Sequence, residues 1–270
     1  MTHLSRPAPQ SATAASGRDE TQDFLAEHRE LKPGETFRFA CHPGVRCFNA
    51  CCSDLAMPLT PYDVLRLRRG LGMSSDDFLR THADVTQFSD TGFPRVYLRM
   101  EDGPLKVCSF VTDKGCSVYA DRSGACRSYP LGRATREDEA SNLQEQFFIV
   151  EEPHCTGFTE ARQWTAKEWL ADQGLEAYFA SNDAYMRLMS RQRRAGQPLS
   201  PQQATMCLLA FYQLDRFADF LTSTGMLQRL DMDDTMRNRI LEDEEARLEF
   251  AYHWAALVLF RDNTTLRMKG

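Results

Sequence analysis

Apolar and polar positions alternate in two textures that meet near position 160 of the chain. Before it the patterns are short. Glu35-Thr36-Phe37-Arg38-Phe39-Ala40 alternates with a period of two, as a short strand does. Thr60-Pro61 starts a helix, with a hydroxyl to cap free N–H groups and a proline where its missing N–H costs little. Val64, Leu65, Leu67 and Leu71 give that helix an apolar side, and Gly70 and Gly72 end it. A second start follows at Ser74 or Ser75, where Asp76-Asp77 suits the positive end of the helix dipole ahead of Phe78-Leu79. From Phe93 to Val111 the period returns to two. Val96, Leu98 and Met100 alternate, Glu101-Asp102-Gly103-Pro104 turns, and Leu105, Val107 and Ser109 continue, which predicts a β-hairpin. Glu145 to Val150 predicts a further strand.

Beyond position 160 the patterns lengthen. Thr165-Ala166-Lys167-Glu168 is a capping box opening a helix to Gln173. Leu175 to about Arg194 reads as the next helix, stopped by Gly196-Gln197-Pro198. Ser200-Pro201 opens another through Leu209, Phe211, Leu214, Phe217 and Leu221 to about Thr224, and a last helix runs near Thr235 to Phe260. The expected class is α+β: a small cysteine-rich metal-binding region with short strands and a hairpin, followed by a mainly α-helical C-terminal half. The corresponding division is a disordered leader over 1–22, a cysteine-cluster domain over 35–160 and a helical region over 161–270 packed on it.

Composition narrows the function classes. With 42% apolar and 26% charged residues over 270 positions, the chain has ordinary globular composition. A net charge of −6 argues against general nucleic-acid binding, which calls for a strongly basic face. The segment Met1 to Gln22 is rich in Ser, Ala, Thr and Pro and has no apolar run of seven, so it reads as neither signal peptide nor anchor. The run Trp254 to Phe260 stops at Arg261, short of the roughly 20 residues of a membrane span. The expectation is a cytoplasmic protein without membrane insertion, its helical half free to shape a pocket or dock a protein partner.

The chemistry lies in the cysteines. Cys41, Cys47, Cys51 and Cys52 fall within twelve residues, and Cys108, Cys116, Cys126 and Cys155 follow, whereas Cys207 stands apart between Met206 and Leu208 and reads as a small buried hydrophobe. In a reducing compartment, clustered thiols act as ligands or redox groups more often than as disulfides. Four thiolates close a tetrahedral zinc site or hold a [4Fe-4S] cube, so eight could fill two sites, or one with thiols to spare. Adjacent residues direct their side chains apart. Cys51 and Cys52 therefore serve two neighbouring centres, one multinuclear centre, or one centre with a free thiol left over. The spacing Cys-x5-Cys-x3-Cys-Cys matches neither a zinc ribbon nor a ferredoxin run, which leaves the element open.

Other side chains contribute less. His42 and His154 each neighbour a cysteine and are alternative ligands, although a non-ligating neighbour is the commoner state; His82 and His253 read as helix residues. Arg127, beside Cys126, is a structural or surface arginine, or else a charge that offsets thiolates. No Ser/His/Asp set, phosphate loop or His-Glu-x-x-His motif singles out a catalytic residue.

The run Cys41 to Cys52, Leu59-Thr60-Pro61-Tyr62-Asp63-Val64, Cys116-Ser117-Val118-Tyr119 with Asp121-Arg122, Cys126-Arg127-Ser128-Tyr129-Pro130-Leu131-Gly132-Arg133 and Cys155-Thr156-Gly157 resemble, in that order, the YkgJ-type cysteine-cluster family. That family is described as a zinc- or iron-chelating domain with a Cys-x2-Cys-x2-Cys-Cys signature; both gaps are longer here. The resemblance implies an iron-sulfur cluster or zinc held by the eight cysteines from Cys41 to Cys155. A more distant likeness in motif is to the flagellin lysine N-methylase FliB. Four roles follow as expectations: an iron-sulfur oxidoreductase, a structural zinc interaction module, a metal chaperone, or a protein N-methyltransferase using S-adenosylmethionine.

Overall fold

The computed structural model describes residues 27–137 and 143–269, so the leader expected over 1–22 lies outside the described residues. Ten short strands form four small antiparallel sheets. In the first, β9 (Leu143–Ile149) lies between β1 (Arg29–Leu31) and β8 (Leu131–Glu137). In the second, β5 (Pro94–Leu98) lies between β3 (Pro58–Leu59) and β4 (Ala83–Gln87). The two-stranded sheets pair β2 (Thr36–Arg38) with β10 (Gln163–Thr165), and β6 (Val111–Thr112) with β7 (Gly115–Cys116).

The helices are α1 (Pro61–Gly70), α2 (Ser75–His82), the single-turn α3 (Gly124–Ser128), α4 (Ala166–Asp172), α5 (Glu176–Ala195), α6 (Pro201–Tyr212), α7 (Leu214–Ser223), α8 (Asp234–Glu242) and α9 (Glu244–Phe260). Most begin where the caps place them. Thr60 and Asp63 form a complete capping box at α1, as do Thr165 and Glu168 at α4 and Ser200 and Gln203 at α6. The architecture is α+β, with small sheets in the first half and helices in the second. No helix among the described residues is long and apolar enough to cross a membrane.

Four local expectations are corrected. The strand carrying Val96 and Leu98 pairs with Ala83–Gln87 and Pro58–Leu59 rather than with its own continuation. Past the turn only the isolated bridge Met100↔Cys108 survives of the expected hairpin, because Lys106 takes a left-handed conformation (φ 43°) that interrupts the returning strand. The helix expected from Ser200 to Thr224 breaks at Gln213, whose ψ of 57° is not helical. Similarly, Asp243 divides the last helix, its carboxylate accepting from the N–H groups of Glu245 (2.8 Å) and Ala246 (3.3 Å) to start α9. Cys126 sits on α3, and β8, which no alternation in the sequence marks, completes the sheet beyond it.

Two cores result. The larger joins Leu59, Leu65, Phe78, Phe93, Val96, Phe110 and Val118 from the first half to Tyr178, Phe211, Phe217 and Trp254 from the helices, with Cys207 fully buried inside it. The smaller consists of Leu31, Phe37, Phe39, Leu131, Ile149, Trp164 and Trp169. Cys108 and Cys116 pack against the larger and Cys155 against the smaller, so the thiol region bridges the two.

Candidate metal centre

The segment 41–52 folds as successive tight turns. The N–H groups of Val45, Phe48, Ala50 and Cys52 donate to the carbonyls of His42, Val45, Cys47 and Asn49 at 2.9–3.0 Å. Asn49 takes a left-handed conformation (φ 67°), which its short amide side chain tolerates. That side chain donates to the Thr112 carbonyl at 2.9 Å and ties the loop to the β6–β7 ribbon. On the same side, Cys108 N–H donates to Cys52 O at 2.8 Å and Asp54 N–H to Lys106 O at 2.9 Å, stitching 52–54 to 106–108.

The other end is fastened to the smaller core. Phe39, packed edge-on against Tyr129, Phe158 and Trp169, sets the position of Cys41. Ala40 N–H donates to Gly157 O at 3.1 Å, bringing Cys41 alongside the segment that bears Cys155. Thr156 then donates to the Cys47 sulfur twice, through N–H and hydroxyl, each at 3.2 Å.

All eight N-terminal thiols are electrostatic neighbours. Cys41 is pushed up to about 11 by burial and by the charges of Cys51, Cys47 and Cys155. Cys126 is likewise pushed up to about 11, by burial first and then by Cys108, Cys116 and Cys51, although a hydrogen bond from Ser123 opposes the shift. The adjacent pair splits. Cys51 is held down to about 6 by its hydrogen bond with Cys52, and Cys52 is raised by that same bond, by burial and by the charges of Cys51, Cys108 and Cys126. Burial also raises Cys108, Cys116 and Cys155, whereas at Cys47 burial is the largest single influence but is outweighed by the hydrogen bonds of Thr156, Cys155 and Gly157 together, which lower it.

Cys41, Cys51 and Cys126 retain exposed surface, yet protein lies close enough to desolvate Cys41 and Cys126 strongly. Among the described residues no three His, Cys, Asp or Glu donors are drawn tightly enough together to enclose an ion as they stand.

Three further residues lie beside the thiols. Arg122, only 9% exposed, stacks over the Tyr119 ring at 3.7 Å and donates to Tyr119 O and the Gln173 side chain. Its positive charge is felt at Cys41 and Cys116, and the Cys126 charge acts on it in turn. The Tyr129 hydroxyl is buried without a hydrogen bond of regular geometry, with the Cys155 thiol beside it. A Cys155 thiolate, were it to hold a metal, would supply the acceptor this orphan hydroxyl lacks. Thr156, already bonded to Cys47, is the third. Arg122 and Thr156 belong to motifs visible in the sequence, but their roles depend on contacts made only in the fold.

The remaining candidates have other engagements. Arg127 donates to the carbonyls of Arg122, Gln173 and Ala120 and so braces the α3 turn. His42 accepts from Gly44 N–H through Nδ1 at 3.1 Å and faces Glu160 through Nε2 at 3.4 Å. His154 lies near enough for its charge to lower Cys51. His82 ends α2 and His253 lies within α9.

Clustered sulfur donors, with the buried Arg122 cation and the orphan Tyr129 hydroxyl beside them, have the donor chemistry that suits zinc or iron. Residues 40–156 match the model of the family described as "CxxCxxCC: Putative zinc- or iron-chelating domain". The match supports metal chelation as the class of activity. No curated protein and no solved structure matches the chain.

Proposed function

We propose that the chain is a metal-binding protein whose eight cysteines, Cys41, Cys47, Cys51, Cys52, Cys108, Cys116, Cys126 and Cys155, hold iron-sulfur chemistry in preference to structural zinc. The observation that carries this reading is the exposed surface left on three of the eight thiols. A structural zinc site is closed and commonly replaces a core too small to fold alone. Here Cys41, Cys51 and Cys126 keep exposed surface, and a large apolar core already unites both halves of the chain. A reachable thiolate-held centre serves electron transfer or substrate chemistry instead.

Anaerobic purification, a visible spectrum and Fe, Zn and acid-labile sulfide analysis on one sample test it. The expected result is a broad band near ~400 nm with iron and sulfide in comparable amounts. A colourless protein with stoichiometric zinc overturns the iron-sulfur assignment.

A further inference from the structure

We infer that the eight thiols form two four-cysteine sets divided at the Cys51–Cys52 peptide bond: Cys41, Cys47, Cys51 and Cys155 in one, and Cys52, Cys108, Cys116 and Cys126 in the other. The division rests on the metal-site reading above and goes beyond it by assigning each ligand to a centre.

Backbone geometry carries the assignment. The first set is assembled against the smaller core. Ala40 N–H bonded to Gly157 O brings Cys41 to the Cys155 segment, and Thr156 bonded to the Cys47 sulfur brings Cys47 there as well. The second set is assembled against the larger core. Cys108 N–H is bonded to Cys52 O, and Cys116 pairs with Val111 across the β6–β7 ribbon just beyond Cys108. Cys126 lies on α3, whose capping Ser123 hydroxyl accepts from Cys126 N–H at 3.3 Å and reaches the Met57 sulfur of the larger core at 3.4 Å.

Adjacent residues that direct their side chains apart are suited to close two neighbouring tetrads, and four thiolates complete either a zinc site or a [4Fe-4S] cube.

The test is metal content per full-length chain after anaerobic purification, with reconstitution by zinc alone or by iron and sulfide. Wild type is expected to carry two centres, a count that needs no variant. Cys47→Ser is expected to halve the metal, and Cys47→Ser with Cys155→Ser to lose no more than the single change. Cys116→Ser is also expected to halve it, whereas Cys47→Ser with Cys116→Ser empties the chain. Cys51→Ser should behave as the first set and Cys52→Ser as the second. One centre in wild type, or a folded single variant that loses everything, overturns the division and leaves the metal reading standing. A wild-type chain that takes up neither metal overturns both.

Discussion

The Asp63 carboxylate accepts a hydrogen bond from Gly124 N–H at 2.7 Å through one oxygen, while its other oxygen accepts from Thr60 N–H at 2.8 Å and the Thr60 hydroxyl at 2.7 Å. One buried side chain thus closes the cap of α1 and holds the start of α3, two residues before Cys126. Asp63→Ala leaves these donors without their acceptor. Burial pushes the Asp63 carboxyl above its ordinary range even with those hydrogen bonds, so part of their gain is offset. The expected loss is about 2 kcal/mol, measured by urea unfolding of the metal-free protein. No measurable loss would show that the clamp contributes nothing to stability.

Arg122 presents a second, electrostatic prediction. Its buried guanidinium acts on sulfurs of both sets, so Arg122→Met should speed metal release to a chelator by about 10-fold, the scale typical of groups that support ligands from outside. The same change removes the bonds to Tyr119 O and Gln173, so stability falls as well. Arg122→Lys separates the effects: it restores charge without the planar fork, and release should recover further than stability does. Release unaltered in both variants would assign Arg122 to packing alone.

Tyr129→Phe should change sign with the state of the site. In the metal-free protein the hydroxyl is buried without a regular partner, so its removal is neutral or stabilises by up to about 1 kcal/mol. In the metal-loaded protein the hydroxyl gains a thiolate acceptor at Cys155, and the variant should melt lower and release metal faster. Thermal unfolding of both forms checks it. Equal shifts in the two states would separate Tyr129 from the metal.

These residues mark where sequence reading stopped. Caps at Thr60, Ser74, Thr165 and Ser200 are local chemistry, and each starts a helix where the pattern puts it. The break at Gln213 was hidden because Leu209, Leu214, Phe217 and Leu221 keep apolar spacing across it, and one ψ angle leaves no trace in that spacing. Asp243 was hidden for a related reason, since one carboxylate within an acidic stretch gives no sign that it is a cap. Cysteine density pointed to metal chemistry, and Cys207 was rightly set aside as core. Which thiol neighbours which depended on long-range hydrogen bonds such as Ala40 to Gly157, which no spacing encodes.

Acid should loosen the C-terminal segment through Asp262. Hydrogen bonds from Thr264 and then Arg191, the latter at 2.6 Å, hold its carboxyl down to about 2. A depressed folded value means that the group stabilises the fold above its unfolded value near ~4. That contribution is lost as pH falls from there to about 2. Asp262→Asn should flatten this part of the stability profile, measured by denaturant unfolding between pH 4 and pH 2. The ion pair with Arg191 is partly exposed, so added salt should shrink the difference. Identical acid limbs in the two proteins would contradict the assignment.

Gly157 provides the sharpest link between backbone packing and metal content. A Cβ there would lie 2.7 Å from the Phe39 ring and 2.8 Å from the Ala40 carbonyl, neither of them the end of a flexible side chain. Gly157→Ala must therefore push apart the two segments that carry Cys41 and Cys155, at a cost of about 1–3 kcal/mol for overpacking. The strain falls on the smaller core and leaves the contacts of Cys108 and Cys116 with the larger core in place. The variant should lose metal from the set containing Cys41 and Cys155 and retain it in the set containing Cys108 and Cys116. Half the wild-type metal with intact helical circular dichroism is the expected outcome. A folded variant with undiminished metal would show that the close approach of Gly157 to Ala40 does not hold Cys41 in its set.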